Sequence, residues 1–433
     1  MSQRYLNKVS LASGKPLLRR YTEVAVFLLG FLALIVPSGY SVGAVLLVLG
    51  GLYVWSKDFK NKNTVELDLR DKWLLAILLF FSLEGVFNWL WHGLVSGVFD
   101  NSDLDKVVRF ALAIPIFFLI YRARPSLHYL WTGIALGAIG ACIFAIYQKF
   151  GLGLPRPNGH TNAIQFGNLS MLLGVFCLAG LGWASTLKKY KTFFFCLLVV
   201  GAFCGLNGSF LSGSRGGWIG LPFVFFFLYR VYRSFFSTKV KVIGLIITCF
   251  LAITAFNLPQ LGIKDRVHQA FNELISYEAG NVNSSIGARL EMWKGTAILI
   301  SEKPLMGWSK GGYIQAKKEL GEQGIIQGVA TKHFTHAHNE ILDRQVKHGL
   351  LGLLALLALY AAPIIAFSAY LRHKDLAKRS LAVVGVLLPF VFIDFGLTQA
   401  FLRHNSGVMM YAAFLMVFAG YFKMVRTSVS TRW

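Results

Sequence analysis

Leu74-Leu75-Ala76-Ile77-Leu78-Leu79-Phe80-Phe81 is an unbroken apolar run inside residues 73–92. A membrane β-barrel strand alternates apolar and polar residues, and this run does not. About 20 apolar residues in α-helix cross the roughly 30 Å of bilayer hydrocarbon, and 73–92 has that length. Lipid offers no water to bond backbone groups, so each such run must satisfy its own N–H and C=O groups, as a helix does. On either side, comparable runs recur at 22–37, 41–55, 107–121, 127–148, 163–185, 192–207, 216–235, 240–257, 346–370, 380–397 and 406–422. The expected fold class is therefore an all-α polytopic membrane protein with about twelve transmembrane helices. No period of 20–50 residues repeats, which excludes a solenoid.

Composition points the same way. The 433 residues are 55% hydrophobic and only 15% charged, unlike a soluble enzyme. A net charge of +23 in a soluble protein would suggest nucleic acid. Here the basic residues cluster in short loops between apolar runs, so no nucleic acid is expected and membrane lipids are the surroundings. Cys142, Cys177, Cys196, Cys204 and Cys249 all fall inside apolar runs, so neither a disulfide nor a thiolate metal site is expected. The basic N-terminal segment lacks a small-x-small cleavage site, which favours an uncleaved first helix.

The loop charges alternate. Arg4, Lys8, Lys15, Arg19 and Arg20 stand at the N-terminus; Lys57 to Lys72, Arg122 and Arg124, Lys188 to Lys191, Arg230 to Lys241, Arg372 to Arg379 and Lys423 to Arg432 follow in every second loop. The loops between are poor in charge or acidic, as at Asp100, Asp103 and Asp105. Both termini are then cytoplasmic, and the long polar stretch 258–344 faces outward. This divides the chain into a nine-helix region (1–257), an outward loop with interfacial helices (258–344) and a three-helix region (345–433). Within the loop, 263–277 and 290–300 read as amphipathic helices, 281–285 as a turn, and Gly307, Gly311 and Gly312 as breakers.

Outward arginines run against the inside bias and need a reason to be there. Arg156 stands in Pro155-Arg156-Pro157-Asn158-Gly159-His160-Thr161-Asn162, Arg215 in Ser212-Gly213-Ser214-Arg215-Gly216-Gly217, Arg289 four residues before Trp293, and Arg403 before His404. Guanidinium groups match phosphate oxygens bidentately and keep their charge in a dry site. Glycines before a helix let backbone N–H groups approach an anion. The bland alternative is that the arginines snorkel to lipid headgroups, most of all Arg403.

His333, His336 and His338 end the loop. Zinc sites use wider or helical spacing and a carboxylate or thiolate, so a metal is not expected. An imidazole at the start of a membrane helix suits a general base instead. His338 is the best placed, with Glu340 or Asp343 available to orient it.

Ser214-Arg215-Gly216-Gly217 before a helix, Arg289-x-x-x-Trp293 inside the loop and His336-x-His338-Asn339-Glu340 at its end, in this order and topology, resemble the bacterial O-antigen ligase superfamily, most of all its lipopolysaccharide ligases. The resemblance covers about residues 150–410. It implies a GT-C type fold with one large periplasmic loop and a glycosyltransferase using an undecaprenyl-diphosphate-linked glycan as donor. It implies His338 as the essential histidine, Arg215 and Arg289 at the diphosphate, and Arg156, His160 and Asn162 in a further polar loop, with Trp293, Asn339 and Glu340 in support. The chemistry would be a metal-independent, cofactor-free inverting displacement. Lipid A-core is the expected acceptor; a second lipid-linked glycan would make the protein a polymerase. The short polar tail disfavours an oligosaccharyltransferase. A transporter of an anionic lipid or solute is the rival from another class. The lack of an inverted repeat and the few mid-helix charges, chiefly Glu84 and Asp394, weigh against it.

Overall fold

Polar residues at the edges of the apolar runs decide where the helices start. Asp68 accepts a hydrogen bond from Asp71 N while Asp71 accepts one from Asp68 N, a reciprocal cap. Asp100, Ser126, Asn162, Ser284, Asn339 and Asp375 each accept from backbone N–H groups two or three residues on. The computed structural model describes residues 16–235, 257, 263–331 and 334–427. Among them are fourteen α-helices and no strand. These are α1 (Pro16–Phe31), α2 (Gly39–Lys60), α3 (Leu69–Ser96), α4 (Asn101–Ala123), α5 (Leu127–Ile146), α6 (Ala163–Ala184) and α7 (Lys191–Ser212). There follow α8 (Leu221–Tyr232), α9 (Ile263–Glu278), α10 (Ser285–Glu302), α11 (Ser309–Glu322), α12 (Glu340–Ser368), α13 (Leu376–Gly396) and α14 (Asn405–Thr427).

Eight of these helices are long and apolar enough to cross a membrane: α2, α3, α5 with the π turn that extends it, α6, α7, α12, α13 and α14. The remaining expected spans differ for physical reasons. Helix α1 has only 16 residues, and α4 carries Asp103, Asp105, Lys106 and Arg109 in its first turns. The expected run 216–235 divides into a 3₁₀ turn, Arg215–Trp218, and α8. The expected run 240–257 lies outside the described residues except for Asn257.

Helices α6, α13 and α14 are buried on nearly all sides and form the centre of the bundle. Lipid tails supply no hydrophobic drive between helices, so close packing must hold them. The approach of α1 to α5 shows it: a Cβ on Gly30 would lie 2.7 Å from the backbone carbon of Gly133. Any larger residue there would force the two helices apart.

The polar contacts sort to two ends. At one end Lys423 and Arg426 pair with Asp71 and Asp68 (2.7 and 2.8 Å), Arg122 pairs with Asp58 (2.8 Å), and Arg379 donates to Val231 O. At the other, Lys310 pairs with Asp100 (2.6 Å), His160 meets Ile35 O, Arg156 donates to Ser212 O and Asn88 donates to Met306 O. The loops rich in lysine and arginine share the first end, and α9 to α11 crown the second.

Helix α12 starts at Glu340, six residues before the expected apolar core at 346. Its first segment is polar yet buried, because its charges are paired. Arg344 bonds Glu84 on α3, His348 meets the other Glu84 oxygen at 3.1 Å, and Lys347 meets Asp343 at 2.6 Å. Gly349, at φ 64°, then kinks the helix, and Leu305 O sits 2.0 Å from where a Cβ would stand. Helix α10 likewise starts at Ser285, earlier than expected, on its Ser284 cap. Gly307, at φ 71°, does break the chain, whereas Gly311 and Gly312 lie inside α11.

Candidate active site

Arg289 and Trp293 are one helical turn apart on α10 and so share a face. Glu291 is turned away from that face and fastens the helix. It accepts from Tyr277 OH on α9 (3.0 Å) and from Gln327 N (2.8 Å). Trp293 Nε1 donates to Ala337 O at 2.9 Å, which ties α10 to the turn that carries His338.

That turn, residues 334–339, is held from every side. Asp343 accepts from Ala337 N (3.0 Å), Lys317 donates to Phe334 O, and Lys347 and Arg403 both donate to Thr335 O (3.0 Å each). Asn339 caps α12 through Ile341 N and Leu342 N, and Glu340 accepts from Leu402 N at 2.7 Å. His338 itself takes φ 49°, a left-handed conformation that costs a non-glycine residue about 1–3 kcal/mol. The surrounding bonds overdetermine it.

Both ring nitrogens of His338 are buried, and neither has a hydrogen-bond partner among the described residues. The ring lies on that of His336 (centroids 4.2 Å apart, planes at 32°) and meets Phe334 edge-on at 5.1 Å. Burial, then His336 and the charge of Arg289, push its pKa down to about 3. His336 and His404 are pushed down to about 4, mainly by burial. At neutral pH all three are uncharged. A neutral imidazole carries one donor and one acceptor, and those of His338 await a ligand.

His338, Arg289, Trp293, Arg156, Ser214 and Gly216 open onto one cavity of about 790 Å³. Arg156 reaches it while donating to Ser212 O at 3.3 Å. Ser214 is fixed by Asn168 on α6 (2.9 Å). A Cβ on Gly216 would stand 2.0 Å from Thr398 Oγ1, so this glycine serves close packing as well as any anion. Apolar side chains also line it, among them Ile164, Trp218, Ile219, Val267 and Phe271. The side chain of Arg215 and the whole of His333 lie outside the described residues; the 3₁₀ turn that starts at Arg215 borders the cavity.

Other expected residues stand elsewhere. Asn162 caps α6, bonding Ile164 N and Gln165 N, and His160 stacks on Phe144 while bonding Ile35 O. Neither lines the cavity. Asn339 and Glu340 hold the turn, and neither Glu340 nor Asp343 touches the imidazole of His338. Arg403 does not snorkel; it is spent on Thr335 O and sits 3.8 Å from Asp343. Sequence reasoning passed over Gln399. This buried residue bonds His336 Nε2 at 3.0 Å and His404 Nε2 at 3.2 Å, fixing the ring on which His338 lies. A lone glutamine beside Arg403 and His404 in a short outward loop was the available signal.

The arrangement can do two things at once. The arginines suit a phosphate or diphosphate, and the apolar lining suits a lipid chain. An anion beside Arg289 would cancel the positive field on His338 and raise its basicity when the site is filled.

Comparison with known proteins adds to the geometry. A family model for O-antigen ligase matches residues 197–357, which contain α10, the His338 turn and the 213–218 turn. An uncharacterized protein of Haemophilus influenzae (strain ATCC 51907 / DSM 11121 / KW20 / Rd) is 30% identical over 391 residues, 89% of this chain and 94% of its own length. An O-antigen ligase of Escherichia coli (strain K12) is 28% identical over 163 residues, 37% of each chain.

Proposed function

We propose that this chain, whose residues 197–357 match the O-antigen ligase family model, is a multi-pass inner-membrane protein that transfers a glycan from undecaprenyl diphosphate to lipid A-core oligosaccharide at the periplasmic face. The observation that carries this reading is one cavity lined by His338, a neutral imidazole with no hydrogen-bond partner among the described residues, by Arg289 and by apolar side chains. The apolar lining takes the polyprenyl chain next to the diphosphate. Arg289, Arg156 and Arg215 meet the diphosphate charge. Arginines keep that charge without a metal, and they stabilise the leaving group as it forms.

His338 accepts the proton of the acceptor hydroxyl. The hydroxyl oxygen bonds to the anomeric carbon as the bond from that carbon to the diphosphate oxygen breaks. Undecaprenyl diphosphate departs with the electron pair from the opposite face, so the anomeric centre inverts. Trp293 and Gln399 act as positioning residues, through Ala337 O and through His336. The outward orientation of 258–344 is supported by the charge bias: lysine and arginine gather in loops at the end away from α9 to α11. The bundle is read as a GT-C type fold, with the crown of α9 to α11 as its periplasmic portion.

Lipopolysaccharide from a deletion strain tests the acceptor assignment. The ligase reading predicts loss of the whole long-chain ladder while lipid-linked polymer persists. Products capped with a single repeat would assign the chain as a polymerase instead.

A further inference from the structure

A second cavity, of about 500 Å³, lies between the C-terminal turns of α3 and the N-terminal half of α11, and shares no residue with the His338 cavity. His348 borders it, at the end of the α12 segment that starts two residues after His338. Eight residues of helix rise roughly 12 Å, so the two cavities are within reach of one short oligosaccharide.

Its lining mixes the indoles of Trp89 and Trp308 with the polar side chains of Asn88, His92, Gln315 and Glu319. Both lysines of the lining are engaged: Lys310 is on Asp100 at 2.6 Å, and Lys303 sits 3.7 Å over the Trp308 ring. Asp103 and Glu319 repel phosphate, and the polar side chains do not suit an acyl chain. Trp89 Nε1 is buried and has no hydrogen-bond partner among the described residues. A buried N–H calls for an acceptor. A sugar ring offers what this lining asks for, an apolar face for an indole and hydroxyls for the exposed Gln315 amide, the Glu319 carboxylate and the N–H of Trp89.

We propose that this cleft binds an uncharged stretch of oligosaccharide from one of the two reacting glycans. The assignment of those glycans rests on the transfer reading above; the cleft itself does not. Gly311 gives a clean way to fill it, because a Cβ there meets nothing within 4 Å. Full-length protein carrying His338→Ala, which blocks turnover, is titrated in detergent with two probes and followed by saturation-transfer NMR. One probe is lipid-free core oligosaccharide released from lipopolysaccharide. The other is the O-antigen oligosaccharide released from its lipid diphosphate. At least one should bind, and Gly311→Trp or the exposed pair Gln315→Ala with Glu319→Ala should weaken binding about tenfold. The thermal midpoint should not change. Binding of the core probe makes the cleft an acceptor subsite, and binding of the O-antigen probe makes it a donor subsite. If neither probe binds, or Gly311→Trp binds as tightly as its parent, the proposal is overturned. Transfer activity is measured separately with His338 intact, so failure of the catalytic reading leaves this binding result standing on its own.

Discussion

His338 is at once strained, buried and without a hydrogen-bond partner among the described residues, and each property has a consequence at the scale of the single residue. The strain is held by bonds to its neighbours in the chain. Trp293→Phe keeps an aromatic side chain but removes the five-membered ring and with it the N–H that reaches Ala337 O, a bond of about 1 kcal/mol. It should lower kcat about tenfold with normal membrane insertion; a wild-type kcat would remove Trp293 as a positioning residue. Burial gives a pH signature. With its pKa pushed down to about 3, the free imidazole stays a base far below histidine's usual range. The acid limb of kcat/KM, which reports free enzyme, should therefore lie below about pH 5. Bound diphosphate offsets Arg289 and raises the imidazole pKa, so the acid limb of kcat should lie at higher pH than that of kcat/KM. Coincident limbs between about pH 6 and 7 would contradict this.

At the scale of elements, the first segment of α12 is the part that sequence periodicity missed. Glu340, Asp343 and Arg344 read as loop because no apolar stripe runs through them, while Lys347 and His348 stood in the expected apolar run from 346. They form helix because Glu84, on α3, supplies the partner that buries Arg344 and His348. Such pairing between segments 260 residues apart leaves no local trace, and Glu84 alone looked like an isolated mid-helix charge. Removing one member leaves the other buried and uncompensated, at a cost of about 3–5 kcal/mol. Glu84→Gln should thus lower the thermal midpoint in detergent markedly, and adding Arg344→Met should recover much of the loss. If Glu84→Gln melts like the parent, the network does not hold α12 to α3.

At the scale of the whole molecule, much was legible and for a stated reason. Lipid forces helices wherever apolar runs are long, so the all-helical class followed from runs such as 74–81, and loop charges marked two unlike ends. Arg289, Trp293 and His338 were legible because they lie in one polar stretch. Gln399 and the apolar lining were not, because the site draws on α6, α9, α10 and four separate loops that only the folded bundle brings together. His160 and Asn162 were drawn into the expected site by their polar neighbourhood, and the structure gives Asn162 a capping bond pair and His160 a contact with Ile35 O.

The proposed role of His338 is that of the base in a metal-independent glycan transfer from a lipid diphosphate. Purified protein, undecaprenyl-diphosphate-linked glycan and lipid A-core, incubated in EDTA and resolved by gel, test it directly. The account predicts joined product with wild type and loss of at least about a hundredfold in rate with His338→Ala. No product from wild type, or undiminished product from His338→Ala, would contradict it.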